Sequence, residues 1–208
     1  MTIVIIELDD DRNYICQALR FGIFDMRVSK EKAADNRDRI LTAASRLIRE
    51  RGIAGVGVDT LTEAAGMTHG SLYSQFGSKQ RLVEEAIAAA IASKGRDLSE
   101  TTTAGDYISE YLSPAHRDDP GSGCPFAALC CEMQRQTQGA RERFTAGVNG
   151  MVEWLSARIG SGTRQRQRDE DALVTLASLV GAVVLARAVS DPKLSADILR
   201  ATRKKLLG

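Results

Sequence analysis

At 208 residues, with 28 basic against 27 acidic side chains and 43% hydrophobic residues, the chain has room for one large domain or for a small one packed on a larger one. Near-neutrality excludes a partner found by bulk charge alone. No continuous apolar run approaches the ~20 residues that span a bilayer, and the opening Ile-Val-Ile-Ile is short, lacks a basic flank and runs into acids. Neither a membrane span nor a secretory signal is expected, and a cytoplasmic location is the default.

The distribution of charge is more informative than its sum. Residues 1–25 hold Glu7, Asp9, Asp10, Asp11 and Asp25 against Arg12 and Arg20, a balance of −3, whereas residues 26–51 hold eight basic against four acidic side chains, a balance of +4. Singly, these cations read equally well as a solvated helix face; as a group they favour a polyanion such as duplex DNA. From Lys32 to Arg51 the apolar residues Ile40, Ala44, Leu47 and Ile48 repeat with the helical period, and Gly52 stops the helix.

The segment Leu61 to Lys79 reads as a helix-turn-helix. Leu61, Ala64 and Ala65 give a short helix a small apolar face, and Gly66 supplies the left-handed position that a tight turn between helices needs. Thr68 is a good N-cap for the next helix, which Leu72 and Phe76, one turn apart, hold on the core. That leaves His69, Gly70, Ser71, Tyr73, Ser74 and Gln75 outside, as short or hydrogen-bonding groups suited to a major groove. Gly77-Ser78-Lys79 ends this helix and opens another, whose first amides and the Lys79 ammonium form a phosphate clamp.

A long fourth helix follows to about Lys94, with Leu82, Ala86, Ile87, Ala89, Ala90 and Ile91 inward. It joins a head to a body, so a swing of it changes the spacing of two recognition helices. Beyond it, Asp106–Leu112 reads as a short helix and 113–123 as a loop broken by two prolines and two glycines. Pro125 opens a helix to about Gln136. Ala140–Ile159 forms a further helix, closed by Gly160-Ser161-Gly162. The segment Ala172–Val189 is apolar nearly all round, which calls for burial on several sides and points to a dimer. Asp191-Pro192 breaks it before a last amphipathic helix containing Leu194, Ile198, Leu199 and Leu206. The fold class expected is all-α.

Taken together, Gly52, Glu63, Ala64, Ala65, Gly66, Leu72, Tyr73, Phe76, Ser78 and Lys79 resemble, spacing by spacing, the DNA-binding domain of the TetR family of bacterial transcriptional regulators, over about residues 37–82. Gly123-Cys-Pro-Phe-Ala-Ala-Leu129 and Ala186-Arg-Ala-Val-Ser-Asp-Pro192 resemble the ligand-binding half of one branch, which also shows a Thr-His-Gly recognition helix. The resemblance implies a DNA-binding domain at 26–80, a helical effector-binding and dimerisation domain at 81–208, and a homodimer formed through the last two helices, at about 166–189 and 192–207. It also implies a palindromic double-stranded operator and release by a small-molecule effector. Carried over by position, Tyr73 and Lys79 lie at phosphates, and Thr68, His69, Gly70, Ser71 and Gln75 at or near base edges; Arg37 and Ser74 are further candidate DNA contacts. Ile53 and Val56-Gly57 depart from the family's aromatic and Thr-Ser pair, so the Gly57 and Val58 amides take over the phosphate contact there. Residues 1–25 match nothing in the pattern and Met26 stands where such regulators often begin; a misassigned start or a loosely attached extension is expected.

Of Cys16, Cys124, Cys130 and Cys131, no two have Cys-x-x-Cys spacing, and His69 and His116 are the only histidines, so neither a metal nor a cofactor is expected. Cys124 stands at a helix N-terminus, where amide dipoles favour the thiolate. It reads either as a sensor of electrophiles or oxidants, a role known in the family, or as a small buried packing residue. Tyr107, Tyr111, Phe126, Met133, Phe144, Met151 and Trp154 could line an apolar effector cavity, or each could serve the core. An enzyme has little support, with no glycine-rich phosphate loop, nucleophile elbow or paired histidines. A helical module whose helix-turn-helix serves a protein partner is the remaining alternative.

Overall fold

The computed structural model describes residues 30–98, 102–160 and 164–208; the extension expected at 1–25, with Cys16, and Arg27 of the basic segment lie outside them. The described residues form ten helices and no strand, the all-α class expected. In chain order these are α1 (Lys30–Arg51), α2 (Val58–Ala65), α3 (His69–Phe76), α4 (Lys79–Asp97), α5 (Ala104–Tyr111), α6 (Pro114–Asp118), α7 (Pro125–Met133), α8 (Gln138–Ser156), α9 (Gln165–Ala188) and α10 (Pro192–Leu207).

Two apolar cores hold them. The first joins the stripe Ile40, Ala44, Leu47 and Ile48 of α1 to Leu61, Leu72 and Phe76 and to Leu82, Val83, Ala86 and Ile87 of α4. It also draws in Leu129 and Met133 of α7 and Ala140 of α8, so the head is packed directly on the body. The second core lies between α5, α7, α8, α9 and α10, around Leu112, Phe126, Leu155, Leu179, Val183 and Leu199.

Local chemistry sets the corners. Gly52, at φ +75°, ends α1, and Gly66, at φ +64° and ψ 39°, turns α2 into α3 with its amide on Glu63 O. Within α2 the buried face is Leu61, Thr62 and Ala65, while Ala64 is exposed, which corrects the expected face. Thr62 can be buried because its hydroxyl donates back to Val58 O and Asp59 O, at 3.1 and 3.0 Å. The loop expected at 113–123 contains α6: Ser113 caps it by accepting from the His116 amide, and Pro114 takes the first position, where a missing N–H costs nothing. Helix α7 ends at Met133, earlier than expected, and α8 begins with Thr137 accepting from Ala140 N at 3.2 Å.

Head and body are also tied by polar contacts. The Glu132 carboxylate of α7 accepts from the amides of Ile53, at 3.1 Å, and Ala54, at 3.2 Å, in the loop between α1 and α2. A Cβ at Gly52 would stand 2.6 Å from Glu132 Oε1, so the loop approaches this closely only with glycine there. Glu132→Ala leaves two amides without acceptors and is expected to lower stability by about 1–3 kcal/mol, read as a shift in thermal unfolding. A change within experimental error would show that water replaces the carboxylate.

Helix α9 is, by length and composition, apolar enough to cross a bilayer, which counting uninterrupted apolar residues did not register. Ala172, Leu176, Leu179, Val183 and Ala186 are nevertheless buried against the rest of the bundle. Its opposite side is bare: Leu173, Val174 and Leu185 are 53%, 63% and 56% exposed, and Leu194 and Leu207 of α10 are similarly uncovered.

Candidate nucleic-acid interface and body cavity

Helix α3 is built to present one face. Thr68 caps it by accepting from Ser71 N at 3.3 Å; Leu72 and Phe76 are buried; Tyr73 is 48% exposed. His69, Gly70 and Ser74 are also exposed, and Ser71 and Gln75 are half-buried. Not all of these are free to bind. The Ser74 hydroxyl donates to Ser71 O at 3.0 Å, and His69 Nε2 lies 2.5 Å from Asp59 Oδ1, linking the start of α3 to the first turn of α2. Ser78 caps α4 through Arg81 N, which places Lys79 at the start of that helix beside α3. At α2, Gly57 is the N-cap and, having no side chain, leaves the first-turn amides without a side-chain cap.

Arg37, a candidate DNA contact, is engaged inside the head. Its Nη1 donates to Gln75 O at 2.6 Å, its Nη2 pairs with Glu85, and its guanidinium lies 4.3 Å from the centre of the Phe76 ring. It braces the C-terminal end of α3, where a cation also complements the helix dipole. Arg39 does the same for α2, donating to Ala65 O at 3.1 Å. Arg46 pairs with Glu50, and Arg49 reaches Gly123 O. Much of the charge excess in 26–51 therefore serves intramolecular contacts. Residue type and spacing gave no sign of this, because it depends on which carbonyls α1 happens to cross.

The body holds a cavity of about 740 Å³ between α4, α5, α7 and α8. Six residues picked from the sequence line it: Tyr107, Tyr111, Cys124, Phe126, Met151 and Trp154. Two do not. Met133 is buried in the core shared with α1, because it lies on the side of α7 that faces the head, and Phe144 packs behind Phe126, ring edge to ring face at 5.3 Å. Lys94, Glu110, His116 and Arg143 are wall residues the sequence reading missed.

His116 organises the deep end. Its Nδ1–H donates to Tyr111 O at 2.7 Å, and its Nε2 accepts from the Cys124 amide at 2.9 Å, which fixes a neutral tautomer. Burial lowers its pKa in the same sense. Arg187 of α9 donates to His116 O at 2.7 Å and Arg117 O at 2.9 Å, holding α6 in place. Cys124 is buried; desolvation pushes its thiol up despite favourable contacts from Tyr111 and the first amides of α7. The structure thus favours the packing reading of Cys124 over a reactive thiolate. Cys130 and Cys131 are free, with sulfurs 3.9 Å apart, and burial pushes Cys130 up to about 11. Among the described residues no cluster of three or more His, Cys, Asp or Glu side chains could hold a metal.

An exposed recognition helix braced from behind, with a lysine and open amides beside it, on a helical body with a ligand-sized cavity, defines a helix-turn-helix regulator. Residues 40–86 match the profile of the family described as bacterial regulatory proteins, tetR family. The HTH-type transcriptional repressor NemR of Escherichia coli K12 is 24% identical over 144 residues, 65% of this chain and 72% of that protein. LmrA, an HTH-type transcriptional regulator of Bacillus subtilis 168, is 27% identical over 164 residues, 73% of this chain and 86% of its own length. The crystal structure of reduced E. coli NemR superposes with a TM-score of 0.68 at 22% identity, covering 83% of this chain and 95% of that one. A TetR regulator from Chloroflexus aurantiacus gives 0.68 at 23%, covering 85% and 94%. Residues 40–86 thus match the DNA-binding domain of the TetR family, and the relatives that the chain resembles over most of its length are transcriptional regulators.

Proposed function

We propose that the protein is a cytoplasmic, homodimeric repressor that reads a palindromic operator with α3 and lets go when a small molecule enters the body cavity. The head comprises residues 26–80 and the effector-binding and dimerisation body residues 81–208. The observation that carries the reading is α3 itself: its core side chains Leu72 and Phe76 are buried, while Thr68, His69, Gly70 and Tyr73 are exposed and Ser71 and Gln75 half-exposed. Lys79 and the Gly57 and Val58 amides flank it as phosphate contacts. Release follows from α4, which carries Lys79 at one end, packs Leu82 and Ala86 into the head, and lines the cavity with Ile91 and Lys94 at the other. The repressor names of relatives such as NemR support the sign of regulation.

Selection from random DNA, followed by binding of variants to the selected site, tests this. Tyr73→Phe is expected to weaken binding to every sequence alike, whereas Gln75→Ala and His69→Ala relax the preference at one base position each, by about 1–3 kcal/mol. Equal losses on selected and scrambled DNA for all three variants would contradict the assignment. A second reading keeps Cys124 as a chemical trigger for an electrophile or oxidant, since its thiol lines the same cavity. Unchanged electrophile-induced release in Cys124→Ser would remove it.

A further inference from the structure

The cavity's effector class can be narrowed from the groups in its wall, an inference that rests on the proposed role of that cavity. Four titratable side chains line it at depth, and all are held neutral. Burial raises the Tyr107 and Tyr111 phenols and the Cys124 thiol, and lowers His116. The charged wall residues Glu110 and Arg143 are exposed, and Lys94 is half-buried. Arg187, whose charge is felt at Tyr111 and Cys124, is engaged by the His116 and Arg117 carbonyls and does not line the cavity, so a ligand charge carried to the deep end would lose its water without a direct ion pair.

The same wall offers one weakly answered donor. The Tyr111 hydroxyl is buried with only the Cys124 thiol, a weak acceptor, to receive it, and no oxygen or nitrogen acceptor stands within reach among the described residues. His116 cannot serve it, since both ring nitrogens are engaged. Around it the walls are aromatic: Tyr107 meets Trp154 at 5.2 Å and Tyr111 at 5.6 Å, ring centre to ring centre. We infer that the effector is an uncharged aromatic compound bearing a hydrogen-bond acceptor, such as a carbonyl oxygen, that receives the Tyr111 O–H while its rings pack against Tyr107, Phe126 and Trp154. A buried phenol with only a weak sulfur acceptor beside it gains a strong oxygen acceptor on binding, so discrimination against a ligand lacking the acceptor follows.

Trp154 is the only tryptophan in the chain, so its fluorescence reports occupancy directly. The test titrates 2-acetonaphthone, 2-ethylnaphthalene and 2-naphthoate into the full-length protein, into Tyr111→Phe and into Gly150→Leu. Gly150 lines the cavity with open space at its Cβ position, so leucine there fills the volume rather than breaking the helix packing. Expected is about tenfold tighter binding of the ketone than of the hydrocarbon. Tyr111→Phe should erase that gap, naphthoate should bind more weakly than the ketone, and Gly150→Leu should weaken quenching by every probe. A gap that is absent, or that persists in Tyr111→Phe, or tighter binding of naphthoate, overturns the assigned class while leaving the cavity as a binding site. No quenching by any probe, or quenching unaffected by Gly150→Leu, overturns the cavity reading itself.

Discussion

Phe76→Ala is expected to destabilise the head by about 3–5 kcal/mol and to remove specific DNA binding, with the proposed dimer intact. The side chain is 2% exposed, so its loss leaves a cavity among Leu72, Leu82 and the α1 stripe. It also removes the surface on which the Arg37 guanidinium rests, 4.3 Å from the ring centre, and with it the support for the Arg37 bond to Gln75 O at 2.6 Å. Recognition and stability are therefore coupled through one ring. Denaturant unfolding and operator binding, measured on the same sample, check this. A loss below about 1 kcal/mol with operator affinity retained would mean that α3 is held by something other than this contact.

Converting the bare side of α9 to charge should split the proposed dimer. Val174 and Leu185 lie eleven positions apart, about three helical turns, on one exposed side with Ala177, Ser178 and Gly181 between them. Small residues flanked by aliphatics let a second helix approach closely, and among the described residues Ala177 is exposed and Ser178 and Gly181 are only half-covered. Val174→Glu with Leu185→Glu places carboxylates where two copies would meet, while both sites are exposed and the monomer fold is untouched. Sedimentation is expected to show a monomer, and operator affinity to fall by about 100-fold or more, because two linked heads gain from a high effective concentration that one head lacks. A dimer that survives the pair of substitutions would place the interface elsewhere.

How legible these features were depended on the range of the interactions that make them. The period of Ile40, Ala44, Leu47 and Ile48, the Gly66 turn, the Thr68 cap and the Leu72–Phe76 pair are set within a few residues, and each stands in the structure where the sequence places it. The short α6 was missed because prolines and glycines read as breakers, whereas Pro114 is tolerated at a first helical position under a Ser113 cap. Ala64 and Thr62 exchanged places because a threonine that satisfies its own hydroxyl can be buried. The roles of Arg37, Arg39, Glu132 and His116 were illegible, since each joins segments far apart in the chain. Within the cavity, aromatic type found Tyr107, Tyr111 and Trp154, but could not tell Phe126 in the wall from Phe144 behind it.

The central claim, that α3 and Lys79 dock this protein on duplex DNA, is tested most directly by affinity for a selected palindromic site, and for a scrambled control, over a series of salt concentrations. Specific binding is predicted, with log affinity falling linearly in log salt and the slope made shallower by about one unit per subunit in Lys79→Ala. Affinity that is flat in salt, or equal on palindromic and scrambled DNA, would contradict it and point the helix-turn-helix toward a protein partner.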